Sequence, residues 1–152
     1  MMLSKNLSVK EVVKSSTAIK HGIPNEPSVT HLHSLKALAE NVFQPMREHF
    51  GVPIAITSGY RSPALNDLIG GSSSSQHSKG EAIDVDADVF GGTTNADIFN
   101  YLREHTDFDQ LIWEFGTNEN PAWVHVSYKK GNNRGEVLMA YKDKGLTRYK
   151  HI

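Results

Sequence analysis

The chain has 152 residues, a length that suits one domain and allows a hydrophobic core to form without disulfides. Hydrophobic residues make up 38% and charged residues 22%, which is typical of a folded globular protein and argues against a disordered one. The formal net charge of −1 with neutral histidines gives no electrostatic reason to expect nucleic acid or a membrane as a partner. Because there is no cysteine, disulfides and thiolate ligands are excluded, and a transition-metal site must use nitrogen and oxygen donors.

The N-terminal segment MMLSKNLSVKEVVKSS contains no unbroken apolar stretch of signal-peptide length. No run elsewhere approaches the length of a transmembrane helix, so we expect no membrane insertion. We therefore expect synthesis in a cytoplasm without a signal peptide. A substrate outside the cell would then be reached after cell lysis, from a phage particle or through another delivery route.

Helices are predicted for the first part of the chain. Ser8 and Glu11 fit a capping box that opens a short helix. A longer helix is predicted to start near Ser28, to be kinked or divided at Pro45 and to end near Gly51. Its apolar residues recur at helical spacing and comprise Leu32, Leu35, Leu38, Val42, Phe43 and Met46.

Strands are predicted for most of the remaining chain. The strand-like runs cover residues 54–57, 82–86, 110–115, 123–128, 137–141 and 146–149. Two helices interrupt them, one opened by Ser62 and Pro63 and one capped by Asn95. The last two strands are predicted to form a hairpin around Lys144-Gly145. This order predicts an α+β fold, a small single domain over residues 1–152 with a central antiparallel sheet flanked by helices.

The segment SQHSKGEAID, from Ser75 to Asp84, carries the residues best suited to chemistry. His77 ends a loop, Asp84 lies on the next strand, and Gly80 lets the backbone turn back between them. A third ligand is available on the predicted strand that begins at Trp123. On this strand His125 points to the face opposite its two valine neighbours. Three protein ligands and one open position are typical of a catalytic zinc. On spacing alone, a loop-capping histidine, a turn-capping aspartate and a half-exposed strand histidine fit these residues equally well.

Several motifs in the same order resemble the zinc D-Ala-D-Ala carboxypeptidase family. The pattern Ser-x-His-x-x-Gly-x-Ala-x-Asp starts at Ser75 and is followed by Trp-Val-His-Val from Trp123. The other motifs that carry the resemblance are Ser58-Gly59-Tyr60-Arg61-Ser62, Leu65-Asn66 and Gln110-Leu111-Ile112-Trp113-Glu114. The resemblance runs from roughly Ser8 to Tyr141. It implies a small α+β domain shared with the hedgehog signalling domain, and an enzyme that cuts the stem peptide of bacterial peptidoglycan.

The resemblance also implies roles for individual residues. It assigns one zinc ion per chain to His77, Asp84 and His125. It assigns to Arg61 the task of holding a substrate carboxylate or carbonyl and stabilising the developing oxyanion, which suits an always charged, bidentate guanidinium. Ser75 and Gln76 are expected to contact substrate or to stabilise their loop.

The general base departs from the family pattern. Many relatives carry an acidic residue three positions before the last zinc histidine, where this chain has Ala122. Glu114 is the best substitute, because it ends a strand predicted to pair with the strand of His125, and Glu119 in the intervening loop is weaker. The alternative is that Glu114 is a carboxylate at the end of a strand with no catalytic role.

Two functions therefore follow from the sequence. The first is a zinc-dependent hydrolase of the stem peptide, either a D-Ala-D-Ala carboxypeptidase or an endolysin-type endopeptidase. The alternative, kept open by Ala122, is a non-catalytic zinc-containing module of the same fold that binds cell wall or builds a phage structure.

Overall fold

The computed structural model describes residues 1–152 and contains eight strands and six α-helices. In chain order the elements are β1 (Met2–Ser4), β2 (Leu7–Ser8), α1 (Val9–Val13), α2 (Ser16–Lys20), α3 (Val29–Leu38), α4 (Gln44–Phe50), β3 (Ala55–Ser58), α5 (Pro63–Leu68), β4 (Ala82–Asp86), α6 (Asn95–His105), β5 (Gln110–Glu114), β6 (Trp123–Ser127), β7 (Glu136–Asp143) and β8 (Leu146–His151). A π-helical turn, Ala39–Phe43, joins α3 to α4, and a 3₁₀ turn, Gln76–Lys79, precedes β4. None of the helices has both the length and the apolar composition needed to cross a membrane.

The helix boundaries follow local rules of capping. Ser8 and Glu11 form the predicted capping box of α1, with each side chain bonded to the other's backbone amide. The long helix begins after Ser28 and ends at Gly51, whose φ of 66° is left-handed. Pro45 divides this helix as predicted: it lacks an amide hydrogen, and the π turn just before it shifts the bonding pattern.

Six strands form the main sheet in the order β3-β4-β6-β5-β7-β8. Four of the five neighbouring pairs are antiparallel, so the predicted α+β class is confirmed. The exception is β5 with β7, which are parallel. β6 ends beside the start of β5. Residues 128–135 connect that point to the far side of β5, where β7 begins beside Gln110 and runs in the same direction as β5. The predicted hairpin of β7 and β8 is confirmed, with positive φ at Lys144 (50°) and Gly145 (80°).

The two faces of the sheet have different surroundings. One face contributes Ile83, Val85, Leu111, Trp113, Val124 and Val126 to the main core, where they join apolar residues of α3, α4 and α6. The other face carries a small apolar patch of Ile112, Leu138 and Ala140 and is otherwise open to polar side chains. The alternation of strand side chains therefore separates the structural core from a second face that is available for chemistry.

Asn95 does not cap α6 as predicted, because Thr94 does so by accepting a hydrogen bond from the Asp97 amide. Asn95 is instead fully buried. Its Oδ1 accepts from the Ala87 amide at 2.7 Å, and its Nδ2 donates to the Asp86 side chain and to two carbonyls of the β5–β6 loop, including that of Ala122. Asn95 therefore connects the end of β4 to the loop before β6.

Candidate active site

The register of the sheet brings the predicted site residues onto one face. Asp84 pairs with His125 across β4 and β6, and His125 pairs with Ile112 across β6 and β5. Directly paired residues point to the same face, and so do residues two apart on one strand. Glu114 therefore lies on the same face as His125, and the predicted β5–β6 hairpin is confirmed.

His77 reaches this face from the 3₁₀ turn that precedes β4. Gly80 ends that turn with a φ of 72°, and a Cβ there would lie 2.5 Å from the carbonyl oxygen of His31. Only glycine fits this position without displacing α3. The chain can therefore turn tightly enough to place His77 beside Asp84.

The three predicted metal ligands converge on one point. One potential ligand atom from each of His77, Asp84 and His125 lies within 4.8 Å of the others. Oδ1 of Asp84 is 3.5 Å from Nε2 of His77 and 2.9 Å from Nδ1 of His125. All three side chains are largely withdrawn from solvent.

Hydrogen bonding fixes the orientation of His77. Its Nδ1 lies 2.8 Å from the carbonyl oxygen of Gly59, to which it donates, so its Nε2 faces Asp84. A backbone carbonyl that holds the far nitrogen is a common support for metal-binding histidines. Gly59 is required here because a Cβ would collide with the carbonyl of Val12.

The cluster holds Asp84 in its charged form. Burial alone would raise the pKa of the Asp84 carboxyl, but the hydrogen bonds and positive charge of the two imidazoles outweigh it and hold this pKa well below its ordinary value. Asp84 is thus a carboxylate ready to ligate a cation. Ligand bonds of about 2.0–2.2 Å place the ligands of a tetrahedral zinc roughly 3.3–3.6 Å apart. The 3.5 Å between His77 and Asp84 lies in this range, and the 2.9 Å between Asp84 and His125 is the shorter distance of a direct hydrogen bond. The donor set fits zinc.

Arg61 lies at the edge of the same cluster. Its backbone amide donates to the carbonyl of His77 at 3.2 Å, and its Nη2 donates to Oγ of Ser75 at 3.1 Å. Its Nε is buried without a hydrogen-bond partner in the protein. Burial lowers the pKa of the guanidinium, and the negative charge of Asp84 partly restores it, so Arg61 stays charged. The structure thus places a cation with an unused donor beside the metal ligands.

Glu114 faces the cluster from β5 and is only 8% exposed. Burial raises the pKa of its carboxyl to about 7, and the negative charge of Asp84 contributes to this rise. A carboxyl group with a pKa near neutrality can both accept and release a proton at working pH. The expectation that Glu114 points toward the ligands rather than into the core therefore agrees with its position.

Gln76 belongs to a network that sequence reasoning missed. Its Nε2 donates to Oδ2 of Asp109 at 3.1 Å, and the fully buried Asp109 also accepts hydrogen bonds from the guanidinium of Arg134. Burial would raise the pKa of Asp109, but the bonds from Arg134 lower it to about 2. The network ties the turn of His77 to the loop before β7. Substrate contact by Gln76 and Ser75 stays a prediction, while a role in holding the loop is visible for both.

These residues line one open cleft of about 860 Å³. The metal cluster, Arg61 and Glu114 occupy one part of it, and Trp123 borders them. Side chains of β7 and β8, which continue the same sheet beyond β5, line another part of it, among them Leu138, Lys142 and Tyr149. A volume of this size suits a peptide of several residues rather than a small ion alone.

Comparison with known protein families places most of the chain in one family model. The family model for Peptidase M15 matches residues 5–127, which include the three candidate ligands, Arg61 and Glu114. No curated protein matches the chain. The matched range covers most of the chain and ends at the last residue of β6.

Proposed function

Because the chain belongs to the Peptidase M15 family, whose members are zinc-dependent peptidases, we propose that it hydrolyses a peptide bond in the stem peptide of bacterial peptidoglycan. The observation that carries this proposal is the convergence of His77, Asp84 and His125 in a cleft that also holds Glu114 and Arg61. The motifs that resemble D-Ala-D-Ala carboxypeptidases and L-alanyl-D-glutamate endopeptidases support the choice of substrate.

His77, Asp84 and His125 would hold one zinc ion through two imidazole nitrogens and a carboxylate oxygen. A zinc ion in such a site supplies Lewis acidity, polarising a carbonyl and making a water acidic near neutral pH. The carbonyl of Gly59 fixes the ring of His77, and the register of β4 and β6 fixes Asp84 against His125.

Glu114 acts as the general base and then as the general acid. Its carboxylate accepts a proton from the attacking water as the water oxygen bonds to the scissile carbonyl carbon. When the carbon–nitrogen bond breaks, the same carboxyl group returns that proton to the leaving amine. Burial raises the pKa of this carboxyl in the metal-free protein, and a bound zinc ion would lower it again.

Arg61 stabilises the charge that develops on the carbonyl oxygen. Its guanidinium is held by Ser75, and its buried Nε is an unused donor at the edge of the cluster. A fixed cation in a site with little water stabilises an oxyanion more than it would in solution. Arg61 also matches a carboxylate of the substrate in shape and charge.

A direct test is to digest purified peptidoglycan with the zinc-loaded protein and to identify new termini by mass spectrometry. We expect new amino and carboxyl termini at one position of the stem peptide, which also distinguishes terminal from internal cleavage. The matched control is Glu114→Gln, which keeps the shape of the side chain and cannot accept the proton. New termini from wild type and not from Glu114→Gln support the mechanism, whereas no new termini from folded, zinc-loaded wild type contradict the proposal.

Ala122 is the one observation that favours a non-catalytic module that binds cell wall, because it occupies the position that is acidic in many relatives. That function predicts that the zinc-loaded protein sediments with peptidoglycan and releases no new termini. In either case we propose that the protein meets the cell wall after lysis or by phage or other delivery.

A further inference from the structure

The C-terminal hairpin lines part of the cleft although it lies beyond the residues that match the family model. The match ends at residue 127, and the hairpin comprises β7 and β8, Glu136–Asp143 and Leu146–His151. Leu138, Lys142, Thr147 and Tyr149 of this hairpin all line the cleft. Part of the cleft is therefore built by residues that lie outside the matched range.

The sheet register places Tyr149 in line with Glu114. Glu114 pairs with Ala140 across β5 and β7, and Ala140 pairs with Tyr149 across β7 and β8. The three side chains therefore point to the same face. Ala140 is small, so no long side chain stands between Glu114 and Tyr149 on this line of paired residues.

The floor between the metal cluster and Tyr149 is apolar. Ile112, Leu138 and Ala140 form a buried group that is separate from the main core. From β6, which carries His125, to β8 there are three strand spacings, each about 4.8 Å, so the floor extends roughly 14 Å. An extended peptide rises about 3.3 Å per residue, so this length holds roughly four residues.

Tyr149 offers a neutral hydrogen-bond donor at the end of this floor. Burial raises the pKa of its phenol, and the negative charges of Glu114 and Asp84 raise it further, so the hydroxyl keeps its proton. Tyr149 as a whole is 54% exposed, which leaves it free to contact a ligand. An aromatic ring with a polar tip suits a peptide backbone, since the ring covers apolar atoms and the hydroxyl donates to a carbonyl.

We propose that the β7–β8 hairpin is a subsite for an extended peptide segment, in which Tyr149 contacts the substrate several residues away from the scissile bond and sets specificity. The proposal rests on the proposed peptidase function. A contact between Tyr149 and a distant part of the substrate stabilises the bound ground state and the transition state equally. Loss of this contact therefore raises KM and leaves kcat nearly unchanged.

Tyr141 provides a matched control. It lies on the same hairpin but alternates with Ala140 and Lys142, so it points to the opposite face of the sheet. It is 36% exposed, and its ring contacts Lys150, whose Nζ lies 5.5 Å from the ring centroid. Tyr141→Ala removes the same side chain from the same hairpin without touching the cleft.

The experiment measures hydrolysis of a soluble stem pentapeptide, L-Ala-D-Glu-L-Lys-D-Ala-D-Ala, by the zinc-loaded full chain and three variants. Zinc content and unfolding midpoint are measured for each protein, and binding of the pentapeptide to the zinc-free proteins is measured by calorimetry. We expect Tyr149→Ala to raise KM, and to weaken binding, roughly tenfold, with kcat within about twofold of wild type. Tyr149→Phe should raise KM about threefold through loss of the hydroxyl, and Tyr141→Ala should match wild type.

The outcomes separate the subsite from the peptidase function. If wild type cleaves peptidoglycan and Tyr149→Ala matches Tyr141→Ala in both KM and binding, the subsite is overturned and the peptidase function stands. If wild type binds the pentapeptide and Tyr149→Ala weakens binding while wild type cleaves neither the pentapeptide nor peptidoglycan, the subsite is supported and the peptidase function fails. If wild type neither binds the pentapeptide nor cleaves peptidoglycan, both proposals are overturned.

Discussion

Replacing Glu114 by glutamine should change how the stability of the zinc-free protein depends on pH. Glu114 is 8% exposed, and burial raises the pKa of its carboxyl from an ordinary 4.5 to about 7, with a contribution from Asp84. The folded state therefore holds a proton that the unfolded chain releases between these two pH values. This carboxyl contributes its full stabilisation below pH 4.5 and loses it as the pH rises through 7.

The size of the effect follows from the size of the pKa change. Each pH unit by which folding raises the pKa corresponds to about 1.4 kcal/mol, which gives an upper bound of roughly 3 kcal/mol for this carboxyl. Because the site opens onto a cleft, solvent screens part of this, and we expect roughly 2 kcal/mol. Glutamine has no proton to lose, so relative to wild type Glu114→Gln should become more stable by about that amount between pH 4.5 and pH 8.

The assay is urea unfolding of the zinc-free wild type and Glu114→Gln at several pH values from 4.5 to 8. Only the difference in free energy of unfolding between the two proteins is used, because contributions from groups that do not interact with Glu114 are the same in both and cancel. If this difference stays constant across the range, Glu114 has an ordinary pKa in the folded protein. Its surroundings would then not tune Glu114 for proton transfer.

Four further substitutions test the site and its support. Arg61→Lys keeps the charge but loses the planar fork, so zinc content should stay at the wild-type level while kcat falls roughly 10²-fold; near-normal kinetics would refute bidentate recognition by Arg61. Asp109→Asn should lower the free energy of unfolding by roughly 2 kcal/mol, measured by urea unfolding, because it replaces the buried acceptor of Arg134. Asn95→Ala should cost about 2 kcal/mol or more in the same assay, whereas Thr94→Ala should cost about 1 kcal/mol, and equal losses would contradict the burial argument for Asn95.

Local signals allowed most of the fold to be predicted from the sequence. Ser8, Gly51 and the pair Lys144-Gly145 act through their own backbone geometry, which sequence reports directly. The position of His125 was also predictable. The alternation of side chains along Trp123–Ser127 places His125 on the face opposite the valines that enter the core. The hairpin that brings Glu114 near His125 needed only the assumption that consecutive strands pair.

Features that depend on distant contacts were not predictable in this way. Asn95 follows Thr94, and two adjacent residues with good capping side chains cannot be ranked without knowing that Asn95 faces the β5–β6 loop. In the sequence, Asp109 lies between a predicted helix and a predicted strand. Its role as a buried hydrogen-bond acceptor depends on Arg134, which is 25 residues further along the chain. The parallel pairing of β5 and β7 likewise arises from a crossing of the sheet end, which strand periodicity does not encode.

The central claim is tested most directly by removing the metal and restoring it. The chain is stripped with a chelator, zinc is added back in measured amounts, and both bound zinc and peptidoglycan hydrolysis are followed for wild type and for His77→Ala, Asp84→Ala and His125→Ala. The account predicts that wild-type activity disappears in the stripped protein and returns in full at one zinc per chain, whereas each variant binds zinc weakly and stays inactive. Full activity in rigorously metal-free protein would contradict it.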